Sequence, residues 1–90
     1  MDNPPRTRFQ TAPIYPHVAK LAGMRGEVLV DFLVDDRGRV VDPRVVASSD
    51  RMFEEPTLKA VAKWQFEPGR RGGKIVSFRM RVPVIFNLAE

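Results

Sequence analysis

Lys74-Ile75-Val76-Ser77-Phe78-Arg79-Met80-Arg81-Val82-Pro83-Val84-Ile85-Phe86-Asn87-Leu88 is the stretch that decides the fold. Val76, Phe78, Met80, Val82, Val84, Phe86 and Leu88 share one parity, and Ile75, Ser77, Arg79, Arg81, Pro83, Ile85 and Asn87 the other. In a strand successive side chains point to opposite faces, so this spacing buries one set and leaves the other at the surface. A run of alternation this long predicts a strand well beyond the usual five or six residues. In a small sheet, such a strand is expected to overhang its neighbours.

Working back from that strand, Gly26 opens a second segment of period two. Val28, Val30, Phe32 and Val34 lie on one face; Glu27, Leu29, Asp31 and Leu33 lie on the other. One face therefore meets a core and the second is only partly wet. Asp35-Asp36-Arg37-Gly38 follows. It lacks the alternating oxygen ligands and distal Glu of a calcium loop, and a tight hairpin turn with Gly38 at positive φ explains it. The strand resumes over 39–46, where Pro43 cannot donate a ladder hydrogen bond and so marks a sheet edge or a bulge.

Ser48, Ser49 and Asp50 are capping residues for a helix reaching Trp64, whose apolar face is Phe53, Thr57, Ala60, Val61 and Trp64. Pro56 belongs in its first turn. A shorter helix starts at Pro16, repeats Val18, Ala19 and Ala22, and stops at Gly23. Residues 2–13 hold three prolines and no apolar period, so they read as an extended lead-in, and Gly69–Gly73 as a flexible polar connection.

Helix, strand, strand, helix, strand is an α+β order. The first two strands make a hairpin, and a right-handed crossover through the second helix lays the last strand beside the first. The expected fold is two helices packed on one face of a three-stranded antiparallel sheet, with the long C-terminal strand at one edge and the Pro43 strand at the other.

Ninety residues make one domain with a thin core, burying roughly 60–65% of the unfolded chain's surface. There is no cysteine, which excludes disulfides, thiolate metal sites and a cysteine nucleophile. No apolar run approaches the roughly 20 residues of a membrane span, and residues 1–5 have no leader-like apolar core, so Met1 reads as the start of an excised piece. The net charge is +4, with Lys63, Arg70, Arg71, Lys74, Arg79 and Arg81 grouped against Glu67 alone. Such a stripe suits an anionic partner, and equally keeps an exposed strand from aggregating.

No catalytic set emerges. His17 is the only histidine and has no partner ligand in sequence. Glu54 and Glu55 are adjacent near a helix start, where negative charge suits the dipole, and are not a spaced acid/base pair. Ser48 and Ser49 have no base and serve as caps, and Gly69–Lys74 lacks phosphate-loop spacing. Trp64 and Phe66 read as core. No enzyme, cofactor or metal is expected.

Six pieces in order resemble the C-terminal domain of the TonB family of energy transducers. They are Tyr15-Pro16, Gly23-Met24-Arg25-Gly26, Asp35-Asp36-Arg37-Gly38, Val46-Ala47-Ser48-Ser49, Trp64-Gln65-Phe66-Glu67-Pro68 and Pro83-Val84-Ile85-Phe86. The match covers roughly residues 13–88, dividing the chain into a linker end over 1–12 and a TonB-like domain over 13–90. The resemblance implies a periplasmic module anchored to the inner membrane, where motor proteins act on it through an N-terminal segment outside this chain. Such a module grips the TonB box, a short extended segment of outer-membrane receptors, and drives uptake of iron chelates or vitamin B12.

Strand addition to a sheet edge fits that role. The partner-binding residues are expected on the last strand (Ile75, Val76, Ser77, Phe78, Arg79, Met80, Arg81, Val82 and Val84) and on the lead-in (Ala12, Pro13, Ile14, Tyr15 and Pro16). Tyr15 reads equally as a staple of the first helix to the sheet. The glutamine that many members place just before Tyr-Pro is absent, Gln10 being nearest, and Val18 stands where some carry an arginine. Two alternatives remain: an interaction or dimerisation domain of another envelope protein, pairing through the last strand, and a basic nucleic-acid binder. The wet face of the last strand, with Ser77, Arg79 and Arg81, offers no aromatic for base stacking, so no nucleic acid is expected.

Overall fold

A computed structural model describes residues 2–88. Met1 and the last two residues of the expected domain lie outside the described part. The central sheet has the predicted order, assembled from β2 (Gly26–Val34), β3 (Val40–Ser48) and β7 (Phe78–Phe86), with β2 in the middle and both neighbours antiparallel to it. Against one face pack a 3₁₀ turn at Arg51–Phe53 and helix α2 (Glu54–Val61). This is the α+β architecture read from the sequence.

The alternation of β2 and β7 explains the core. Val28, Val30, Phe32 and Val34 are buried from the central strand, and Val84 and Phe86 from β7. They meet Phe53 and Val61 from the helical layer, and Trp64 and Phe66 from the segment leading out of it. Phe32 lies edge-on to Trp64, with ring centres 6.3 Å apart, and Phe53 packs on Phe86 at 4.6 Å. Fully burying an aromatic or branched side chain contributes roughly 1.5–3 kcal/mol, so this cluster holds the layers together.

Asp50 caps the 3₁₀ turn, its Oδ1 accepting from the Met52 N–H at 3.0 Å. Pro56 falls in the first turn of α2, where no ladder donor is needed. Ser48 and Ser49 are not caps. The Ser48 hydroxyl donates to the Glu54 carboxylate, and Ser49 Oγ accepts from the Glu27 N–H at 2.9 Å. The expected run to Trp64 stops at Val61, and Trp64 comes after a turn.

Other expectations need correction. Helix α1 spans only His17–Leu21, with Pro16 at its N-cap rather than inside it. Of the proposed apolar face of Val18, Ala19 and Ala22 only Ala19 is buried, the other two being exposed, as is Leu21. The lead-in contains β1 (Arg6–Phe9), paired with β4 (Gln65–Glu67). The segment after β4 is not a loose connection: β5 (Gly69–Arg71) and β6 (Lys74–Val76) form a hairpin whose turn uses Gly72 and Gly73 at φ 58° and 81°. The last strand is thereby broken at Ser77, and its expected overhang pairs with β5.

At the β2–β3 turn Gly38 has φ 81° and its carbonyl accepts from the Phe66 N–H at 2.8 Å. A Cβ there would strike the Phe66 carbonyl, so the turn requires glycine for its φ and for its closeness to β4. Asp35 closes the same turn, its carboxylate accepting from the N–H groups of Arg37 and Arg39, each at 2.9 Å. Those bonds, Arg39's first, hold its pKa below the usual carboxylate value.

Candidate functional site: the open edge of the last strand

The direction of each backbone group on β7 is set by β2. Glu27 gives its N–H to Ser49 Oγ, and its carbonyl accepts from the Ser49 N–H at 2.9 Å, so both groups turn toward β3. Backbone groups alternate sides along an antiparallel strand. Leu29, Asp31 and Leu33 therefore also turn toward β3, and Val28, Val30, Phe32 and Val34 turn toward β7. Their opposite numbers are Val84, Val82, Met80 and Phe78. The backbone groups of Arg79, Arg81, Pro83 and Ile85 consequently point away from the sheet. Among the described residues no strand pairs with that edge.

Backbone directions alternate in β5 and β6 too. Arg70 exchanges both backbone bonds with Asn3, at 2.7 and 2.8 Å, so Gly69 and Arg71 turn toward β6 and meet Val76 and Lys74. Ile75 is left facing the other way, as a further open position.

The predicted strand residues thus sort into two roles. Ile75, Arg79 and Arg81 bring free backbone groups. Val76, Phe78, Met80, Val82 and Val84 turn theirs toward β5 or β2 and contribute side chains to the core side, Val84 buried and the others half-buried. Ser77 sits at the break, exposed. On the wet face Arg79 donates to Asp31 Oδ2 at 3.1 Å, and Arg81 stands 3.9 Å from the same oxygen.

The lead-in lies beside the far end of β7. The Tyr15 ring sits edge-on to Phe86 at 5.5 Å and to Phe53 at 6.1 Å, and its hydroxyl donates to the Met24 carbonyl. Tyr15 is therefore a staple, as one of its two readings had it. Trp64 Nε1 donates to the Thr11 carbonyl at 2.8 Å, pinning the chain before Ala12 and Pro13. Ala12 is exposed, Ile14 is 83% exposed, and Pro13 and Pro16 are half-buried.

A cleft of about 280 Å³ separates Gln10–Pro13 and Trp64 from Pro83–Ile85. On the other side of the lead-in a groove of about 660 Å³ runs along α2, past Met52, Pro56 and Ala60. Tyr15 and the lead-in meet the C-terminal end of β7, and Ile75 and Val76 sit near its other end, so the expected residues form a strip rather than one pocket. The expected partner-binding residues did not include Pro83 and Ile85, which share the open parity, or the exposed Leu21. The alternation itself held the signal for the first pair. No His, Cys, Asp or Glu cluster able to hold a metal occurs among the described residues.

The model for the C-terminal part of Gram-negative bacterial TonB protein matches residues 11–88. The chain belongs to the TonB C-terminal family. It is 44% identical to Protein TonB of Pseudomonas aeruginosa over 72% of this chain and 19% of that protein. Protein TonB of Xanthomonas campestris is 38% identical over 84% of this chain and 34% of its own length. Against the solution NMR structure of the Pseudomonas aeruginosa TonB CTD the TM-score is 0.78, with 34% identity and coverage of 96% of this chain and 88% of that one. A TonB2 structure from Vibrio anguillarum gives 0.70 at 32% identity, covering 98% and 85%. The chain spans roughly a fifth to a third of these longer TonB proteins. TonB is a non-enzymatic energy transducer, in keeping with the absence of a catalytic set in the sequence.

Proposed function

We propose that this chain is the receptor-gripping end of a TonB-type transducer. It works in the periplasm, tethered to the inner membrane through a segment outside this chain, with residues 1–12 as the end of that linker and 13–90 as the domain. Its partners are inner-membrane motor proteins and outer-membrane receptors that import siderophore- or vitamin B12-type substrates. The observation that carries this reading is the regular, unpaired outer edge of β7, with Arg79 and Arg81 offering a donor and an acceptor each. A receptor's TonB box adds there as a further strand, main-chain bonds supplying affinity and neighbouring side chains selectivity. A ladder loaded along its length strains many bonds at once, which suits transmission of force.

The test is an NMR titration of the labelled, verified monomer with receptor TonB-box peptides beside a scrambled control. Shifts concentrated on Ile75–Val84 and around Tyr15 are expected. A monomer that shows none loses this reading. The same open edge also favours a second reading, pairing with another copy of the chain, which concentration-dependent sedimentation detects.

A further inference from the structure

We propose that Pro83 sets the length and register of the strand that β7 accepts, ending the bonded stretch at Arg81. The inference rests on the strand-addition reading above and adds to it a limit on length and register.

An added strand bonds only to the residues whose backbone points outward. Arg79 and Arg81 each present an N–H and a C=O. Pro83, the next outward residue, presents a carbonyl but no N–H, and its ring occupies the place of the missing donor. The parity is what matters. Pro83 lies opposite Leu29, whose backbone groups turn away toward β3, so the fold itself loses no hydrogen bond to this proline. Moved to position 82 or 84, a proline would break a bond to Val30 or Val28. The proline therefore falls on the only parity that leaves the internal ladder whole while interrupting the external one.

Past Pro83 the Ile85 groups are free again, and its side chain is 57% exposed. To reach them a guest strand must cross a position where one of its own carbonyls meets ring carbons instead of a donor. Gln10–Pro13 flank the same stretch across a cleft of about 280 Å³. The guest is thus a short extended peptide registered opposite Phe78–Val82, with any continuation directed toward Ile75 rather than toward Ile85.

Amide hydrogen exchange and cross-strand NOEs on the ¹⁵N-labelled domain, with a receptor TonB-box peptide as the probe, decide the matter. On binding, the Arg79 and Arg81 amides are expected to slow, the Ile85 amide to stay unchanged, and cross-strand NOEs to stop at Val82. In Pro83→Val the amide introduced at position 83 joins the protected set. The peptide then binds roughly 2- to 10-fold tighter, the worth of one added net hydrogen bond. Cross-strand contacts running past Pro83 to Ile85 in the unsubstituted domain overturn the proposal, whatever the variant does. So does an unprotected amide at position 83 in the bound variant. If the peptide does not bind the unsubstituted domain at all, strand addition itself fails and this inference falls with it, a result distinct from binding in a longer register.

Discussion

The two edges of the sheet differ as much as two strands on the same partner can. β7 pairs with β2 through nine successive positions without a slip. β3 pairs with the same strand but slips twice, between its partners Ala47 and Val45 and again between Arg44 and Val41. Each slip inserts an extra residue, and the second holds Asp42 at φ 53° followed by Pro43. A bulge twists an edge and disturbs its donors, one of the ways proteins blunt a strand against unwanted pairing. One edge is thus spoiled for association and the other kept straight. Where a small domain leaves an edge regular, that edge is the place to look for its partner.

The contrast depends on β2 holding both neighbours, and Phe32 in its middle is 1% exposed. Phe32→Ala is expected to cost about 3–5 kcal/mol in urea unfolding and to loosen both edges together. Retained protection on one edge alone would show that the two are not supported by a common core. A sharper test uses proline on adjacent residues of β7. Met80→Pro removes an inward bond to Phe32 and should cost roughly 1–3 kcal/mol, leaving a buried carbonyl without a donor. Arg81→Pro removes an outward donor and one long, exposed contact to Asp31, and is expected to leave the unfolding midpoint nearly unchanged while weakening TonB-box peptide binding. Equal effects on stability would refute the assigned backbone directions.

Repairing the spoiled edge tests the opposite side of the comparison. Deleting Asp42 together with Pro43→Val removes the second slip and its proline, leaving only the slip between Ala47 and Val45, and light scattering should then show self-association that grows with concentration. The smallest effect is electrostatic and sits at the turn joining β2 to β3. Because folding lowers the Asp35 pKa, its stabilising contribution is present above its unfolded value near 3.8 and is lost as pH falls through the lower folded value. Asp35→Asn should therefore be less stable than the parent at pH 7, and the difference should shrink toward zero below pH 4.

Much of this arrangement was legible in the sequence. Period two marked β2 and β7, Gly38 marked the turn, and Pro43 marked an edge or a bulge, because each is a local steric demand. What alternation cannot report is which neighbour a strand has. Val76 and Phe78 keep one parity across Ser77, yet the first turns to β5 and the second to β2, so two short pairings read as one long strand. β1 left no trace because Arg6–Phe9 are all exposed and carry no buried face. At the candidate site, residue types pointed to the right strand. The division into inward and outward backbone groups required the Glu27–Ser49 exchange, a contact between residues far apart in sequence.

The Gly38–Phe66 bond has a further consequence, in the order of assembly. Val34 meets Val40 across a single turn, whereas Val28 must find Val84 across the rest of the domain. Local pairings close early because little chain entropy is lost, and distant ones wait. The β2–β3 hairpin is thus a natural nucleus, and the contact of its turn with Phe66 draws the C-terminal half toward it. A side chain at position 38 would strike Phe66 and hinder that docking, while β7, and with it the partner's landing strip, waits on its sequence-distant pairing with β2.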